Sequence, residues 1–388
     1  MKYVMVIIDG LSDDPIKELN YKTPLETAFI PNIHYIATKG RVGRIATSYE
    51  GFPVESMVCI MGLLGFEPKK YYPCGRASFE AMAKGIPIND NDLVFRCNIV
   101  YTDEKKDHIT DFTAGLISDM EAKKFIAKIR LTHSNWEIYP GQSYRNILIV
   151  RDANVDATKV KCFPPHMHIG EFLDSIRPYG EDENTKVLLD EIWNFLLQSY
   201  NKEDNKMLWV WSPSKSIKWP SFKEVTGLNG AVVCGLDFLQ GITMAADMDF
   251  DIIPGATGYI DTNYEEKSNY AKKYLNNHDF VLVHINATDE EAHQHNYKGK
   301  IDAIEKVDSL IVGPLLQELH EKHNDNFRII ICGDHKTRCS DGKHIGDPVP
   351  FAMYGKGIRE TNESAFTEDI SNKYEPIVSI DFIKKYLK

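Results

Sequence analysis

Unbroken apolar runs constrain the fold of this chain more than any other feature. Tyr3 to Ile8 is continuous and rich in β-branched residues, and Phe280 to Ile285 and Phe327 to Cys332 read as further apolar strands. Runs without polar alternation describe strands buried on both faces, as in a parallel sheet covered by helices on each side. Near the start, Pro31 to Gly40 reads as a short helix, Gly43 to Thr47 as a strand, and Ser56 to Phe66 as an apolar helix with Ser56 at its mouth. From Gly230 onward strand and helix patterns alternate. Ala231–Val233 is strand-like, Phe238–Met248 and Asn263–Leu275 helical, and Ile301–His320 one long amphipathic helix. Pro350–Tyr354 is a strand and Ser379–Leu387 a closing helix.

The middle of the chain breaks this rhythm. Asp92–Thr102, Asn146–Val150 and Met207–Trp211 read as strands, whereas Ser118–Ile129 and the stretch from Glu181 to Ser199 read as helices. The prediction is an α/β chain: a doubly wound, mostly parallel sheet built from residues 1–73 and 221–388, with 74–220 as an inserted, smaller α+β domain. The 388 residues are enough for two ordinary domains.

A formal net charge of -11 argues against nucleic acid or an anionic membrane as partner. The seven cysteines form no CxxC pair, and an odd number of scattered thiols suits a reducing compartment. The N-terminal apolar run is too short for a signal peptide, and no run approaches the roughly 18 residues of a membrane span. These features predict a cytoplasmic soluble protein. Nothing in the sequence sets its oligomeric state.

The strands and the helix mouth deliver metal-binding chemistry where they end. The first strand runs into Asp9, and the apolar helix opens at Ser56. Phe280–Ile285 leads to Asp289 and His293, which share one face if that segment is helical. Phe327–Cys332 leads through Gly333 to Asp334 and His335, with His344 in the next loop. Taken singly, an Asp after a strand is a turn or cap residue, Ser56 an N-cap, and His293 a surface residue. Taken together, they fall where a doubly wound sheet gathers its C-terminal strand ends into one crevice. Three carboxylates and three imidazoles suit Zn²⁺, Mn²⁺ or similar ions better than Ca²⁺.

The set Ile8-Asp9-Gly10, Ser56, Asp289-Glu290-Glu291-Ala292-His293, Gly333-Asp334-His335 and His344-Ile345-Gly346-Asp347-Pro348 resembles the alkaline phosphatase superfamily. More narrowly, it is similar to the archaeal-type cofactor-independent phosphoglycerate mutases. Phe95-Arg96-Cys97-Asn98, Asp111-Phe112-Thr113-Ala114-Gly115 and Asp261-Thr262-Asn263 support the likeness, which spans nearly the whole chain.

The resemblance implies an alkaline-phosphatase-like fold and two divalent ions (Mn, Zn, Mg or Co), with no 2,3-bisphosphoglycerate. One ion would be held by Asp289, His293 and His344, the other by Asp9, Asp334, His335 and the Ser56 oxygen. Ser56 would carry the phosphoryl group between the two hydroxyls of a small phosphorylated metabolite, interconverting 2-phosphoglycerate and 3-phosphoglycerate in glycolysis. A homoserine-kinase-like phosphotransferase or a phosphatase is the alternative within the superfamily. Arg96, Asn98, Asp111, Arg145 and Lys267 are the substrate-binding residues it implies. The chain writes Glu55-Ser56-Met57 where the family has Gly-Ser-Asp, and Gly75-Arg76-Ala77-Ser78 where it has Gly-Arg-Gly-Pro.

Overall fold

The computed structural model describes residues 1–216 and 218–387. Residue 217 of the expected insertion and residue 388 of the expected core lie outside the described residues. Residues 1–71 with 219–388 form one compact unit, and residues 72–218 form a second.

The larger unit is built on a seven-stranded sheet. Its spatial order is Gly230–Val233, Phe280–Ile285, Lys2–Ile8, Phe327–Cys332, Val349–Gly355, Arg41–Ala46 and Ile377–Val378. Only Val349–Gly355 runs against its neighbours. The sheet is therefore mostly parallel, as the apolar runs require. Alternate residues of the central strands face two layers. Val4, Val6, Ile8, Val283 and Ile331 pack with Ile33 and Ile36, Ala271, Ile304, and Leu315 and Leu319 from four helices on one side. The buried residues between them face the other side, where helices Ser56–Leu63, Asp237–Ala245 and Ser379–Tyr386 pack.

The expected single helix Ile301–His320 is interrupted. An α-helix Tyr297–Val307 passes into a π-helical turn, Asp308–Val312, before a second α-helix, Gly313–His323. Pro314 lacks the N–H that a continuous i→i−4 ladder needs, and a π turn absorbs the slip. The Asp308 carboxylate accepts from the backbone of Asn32 and Ile33, capping the helix Pro31–Thr38, whose own N-cap residue Ile30 has no capping side chain.

The smaller unit is an α+β body. Strand Leu93–Thr102 pairs antiparallel with Arg145–Val150 and Lys206–Ser214, and Trp136–Tyr139 pairs with Arg145–Val150. Helices Asp119–Lys128 and Glu183–Gln198 contribute Phe125, Leu189, Ile192 and Trp193 to its apolar core. Capping boxes at Ser118 and Asp182 set where these helices start.

One buried ion pair ties the loop after the first strand to the rest of the larger unit. Lys300, fully buried, donates to Asp13 Oδ2 (3.0 Å), the Ser12 carbonyl (3.1 Å) and the Thr337 carbonyl (2.8 Å). Replacing Lys300 by Met leaves Asp13 buried and without its countercharge. Chemical denaturation should show a loss of about 3–5 kcal/mol; a loss below about 1 kcal/mol would mean the pair is not a fastener.

Candidate metal centre and nucleophile

Three adjacent parallel strands end at one place. Asp9 follows Lys2–Ile8, Asp334 follows Phe327–Cys332, and Asp289 sits on the short helix Ala287–His293 after Phe280–Ile285. Gly10, at φ +62°, lets the chain turn there, because a Cβ would meet Thr337 Oγ1 at 2.7 Å and Asp289 Oδ1 at 2.8 Å. The three carboxylates are 0%, 0% and 6% exposed, and no described lysine or arginine pairs with them.

Imidazoles surround them instead. His293 Nε2 lies 3.2 Å from Asp289 Oδ2, one helical turn away as the i, i+4 spacing requires, and His344 Nε2 lies 3.3 Å from Asp289 Oδ1. A two-strand hairpin, Lys336–Thr337 with His344–Ile345, brings His344 back to the sheet end. His335 Nε2 is 3.3 Å from Asp9 Oδ1 and 3.6 Å from Asp334 Oδ2, and its ring stacks on His344 at 4.0 Å. Ser56 is the first residue of its helix, and its hydroxyl does not cap it. Its Oγ lies 3.1 and 3.2 Å from the Asp9 oxygens and 3.2 Å from His335 Nε2.

Two rings have their tautomers set by neighbours. His344 Nδ1 donates to the Val54 carbonyl at 2.9 Å, so in the neutral ring its Nε2 carries the lone pair and faces Asp289. Thr337 gives its hydroxyl proton to Asp289 Oδ1 (2.6 Å), so its oxygen accepts from His335 Nδ1 (3.1 Å), and His335 Nε2 likewise faces the cluster. Fixing imidazoles from behind in this way is how metal ligands are oriented.

The cluster's titrating groups are strongly perturbed by burial and by one another. Burial, then the charges of Asp334 and Asp289, push Asp9 well above the usual carboxylate range. Burial also raises Asp289, but the His293 and His344 contacts outweigh it and hold this carboxyl well below that range. The Asp289 carboxylate raises His293 in turn, and burial lowers His335. His293 Nε2 and His344 Nε2 stand 3.0 Å apart, within hydrogen-bond reach, so the two ring nitrogens can share one proton or turn toward one cation. Asp334 Oδ2 is buried with no hydrogen-bond partner among the described residues. Mixed carboxylate and imidazole donors of this kind fit divalent transition ions. Donor atoms of Asp289, His335 and His344, and separately of Asp9, His284 and Asp334, lie within 4.8 Å of one another.

The structure thus brings together Asp9, Ser56, Asp289, His293, Asp334, His335 and His344. Sequence reasoning missed Thr337 and His284. His284 sits inside the strand read as fully apolar, and a lone imidazole in such a run is itself the signal.

The expected substrate residues are placed differently. Lys267 is in the larger unit, fully buried, with Nζ donating to the carbonyls of His284 (3.3 Å) and Thr257 (3.4 Å). The other four lie in the smaller unit. Arg96 is buried, with Nε 3.0 Å from Glu80 Oε2 and its guanidinium stacked 4.1 Å over Trp211. Burial and the charges of Arg76 and Arg145 lower it to about 10, against the opposing pull of Glu80. Asn98 spends its amide on the Phe112 carbonyl and Trp211 Nε1. Asp111 orders the turn after it, accepting from Thr113 and Gly115. Arg145 is exposed over Tyr144.

Sheet order, crevice and donor set define an α/β protein with a carboxylate–imidazole centre beside a helix-mouth serine. Residues 37–206 match the family model described as 2,3-bisphosphoglycerate-independent phosphoglycerate mutase. A protein of that name from Methanosarcina mazei is 38% identical over 95% of this chain and 94% of its own. One designated mutase 2, from Methanothermobacter thermautotrophicus, is 33% identical over 95% and 92%. The solved cofactor-independent phosphoglycerate mutase of Thermoplasma acidophilum superposes with a TM-score of 0.66 at 28% identity, covering 100% of both chains. A solved Pyrococcus horikoshii protein superposes with a TM-score of 0.77 at 25% identity over 99% of this chain and 96% of that one. The chain belongs to the 2,3-bisphosphoglycerate-independent phosphoglycerate mutase family.

The buried ammonium of Lys267 has a measurable signature. Burial lowers it from 10.5 to about 8, and the Cys234 thiol is the one titrating neighbour that opposes this. The unfolded chain holds that proton up to about 10.5 while the folded chain releases it near 8, so stability should rise with pH between those values. The slope approaches ~1.4 kcal/mol per pH unit. Denaturation of Lys267→Met across pH 7.5–10.5 should lack this slope; an unchanged slope would place the titration elsewhere.

Proposed function

We propose that this chain interconverts 2-phosphoglycerate and 3-phosphoglycerate, a glycolytic step, through a phosphorylated Ser56 and without 2,3-bisphosphoglycerate. The observation that carries the reading is the position of Ser56 Oγ. It stands at a helix mouth within 3.2 Å of both an Asp9 oxygen and His335 Nε2, two members of the candidate metal set. Asp289, His293 and His344 would hold one ion, and Asp9, Asp334 and His335 with Ser56 the other, as Mn²⁺, Zn²⁺, Mg²⁺ or Co²⁺. Such ions, when bound, supply positive charge that activates the serine oxygen and neutralises the phosphoryl oxygens.

The chain's own groups account for the rest. The Ser56 hydroxyl donates toward Asp9, the carboxylate that receives its proton as Oγ bonds to phosphorus and the substrate C–O–P bridge breaks on the phosphorus side. The departing glycerate oxygen takes up a proton from water. In the return step the other glycerate hydroxyl gives its proton back to water as its oxygen attacks phosphorus, the P–Oγ bond breaks, and Ser56 Oγ recovers its proton from Asp9. Backbone N–H groups of the first turn after Ser56 face the phosphoryl oxygens. The 72–218 unit is the substrate-binding part in this reading, with Arg96 and Arg145 as the cations for phosphoglycerate's negative charge. Seven free thiols and the lack of any described helix able to cross a membrane support a cytoplasmic setting for a small phosphorylated metabolite.

With 3-phosphoglycerate and Mn²⁺, phosphorus NMR should show 2-phosphoglycerate appearing, and Ser56→Ala should lose on the order of 10³-fold or more of that rate. Release of inorganic phosphate without isomer would make the protein a phosphatase. Transfer only to another hydroxyl compound would make it a phosphotransferase of different specificity. Full activity in Ser56→Ala would remove the phosphoserine.

A further inference from the structure

His284 lies one residue before the end of the strand Phe280–Ile285, paired in register with Ile7 of the first strand. Val281, Val283 and Ile285 face the larger helical layer, so His284 points to the opposite side of the sheet, the side on which the Ser56 helix packs. It is 1% exposed. Buried imidazoles have their ring nitrogens paired, because an unpaired buried polar atom costs about 1–3 kcal/mol. Here neither nitrogen has a hydrogen-bond partner among the described residues. Nε2 stands 3.2 Å from Asp9 Oδ2, close enough for an ion pair but not aligned as a hydrogen bond.

The neighbours of that ring are equally unfinished. Asp334 Oδ2 has no partner either, and donor atoms of Asp9, His284 and Asp334 all lie within 4.8 Å of one another. These residues come from three adjacent strands, so the sheet fixes their spacing. Lys267 is the nearby ammonium, and it is directed at the His284 carbonyl, on the backbone and not on the ring. That bond anchors the residue and leaves the ring to meet the two carboxylates.

We propose that His284 is a further ligand of the ion held by Asp9 and Asp334, reaching it from within the sheet beneath Ser56. The inference rests on the metal-centre reading given above and extends it. The ion nearest the nucleophile then has an imidazole of its own that does not touch Ser56 Oγ. His335, which does touch that oxygen and stacks on His344, holds the same ion from the side that faces the other donor group. An added nitrogen donor favours Zn²⁺, Co²⁺ or Mn²⁺ over Mg²⁺ at this position.

Co²⁺ titration of the full chain, followed by visible absorption and by equilibrium metal content, tests this. Wild type should take two ions. His284→Leu, which fills the space with an apolar group, should bind one of them at least about tenfold more weakly, with a changed absorption band for that ion. Thermal melting of the metal-free variant should be unchanged or higher, since no paired group has been lost. Two ions bound with wild-type affinity and spectrum would overturn the proposal and leave the metal centre standing. Fewer than two ions in wild type would overturn the metal-centre reading and this one with it. If His284→Leu does not fold, His284→Gln carries the same readout: a weakened ion and altered band support the ligand role, and an unchanged titration removes it.

Discussion

Three carboxylates buried at the ends of three adjacent parallel strands are the constraint around which the larger unit is organised. Asp9, Asp289 and Asp334 have no lysine or arginine among their described partners, and their mutual repulsion adds to the desolvation that each has suffered. The repulsion is relieved by a proton on Asp9 or by positive charge delivered to the cluster. The imidazoles of His335 and His344, their Nδ1 atoms held from behind, turn Nε2 toward it with His293 beside them, an arrangement that suits a cation.

Much of the surrounding structure serves to hold that arrangement still. Thr337 bonds to both Asp289 and His335, linking the two expected donor groups through one hydroxyl. Lys300 grips the loop after the first strand and the backbone of Thr337 together, so the same residue is braced from two directions. Gly10 keeps the space that Thr337 and Asp289 occupy. Ser56 is brought in from the opposite helical layer, and its oxygen engages the Asp9 carboxylate and the His335 imidazole in place of capping its own helix.

The sheet and the donor residues were legible in the sequence because both obey short-range rules. A doubly buried strand must be apolar throughout, and the residue that ends it sits at the crevice, so Asp9 and Asp334 could be placed from the runs before them. The i, i+4 spacing of Asp289 and His293 needed only a helix to become a shared face. The role of His284 was hidden by the same rule that revealed the strand, since five apolar neighbours disguise one imidazole. The break at Asp308–Val312 was hidden by an amphipathic pattern that continues across Pro314. Lys267 and Asn98 show the limit on the substrate side. Their residue types suit an anion, but burial and partners are tertiary facts, and these commit Lys267 to backbone carbonyls and Asn98 to Trp211 and Phe112.

The central claim is that the buried carboxylates are a two-cation centre that activates Ser56. Anomalous difference density from a crystal of the Mn²⁺-loaded protein tests it most directly. Two peaks are expected, one among Asp289, His293 and His344, and one among Asp9, Asp334, His335 and the Ser56 oxygen. A well-ordered crystal with no peak, or with a single ion away from Ser56, would contradict it.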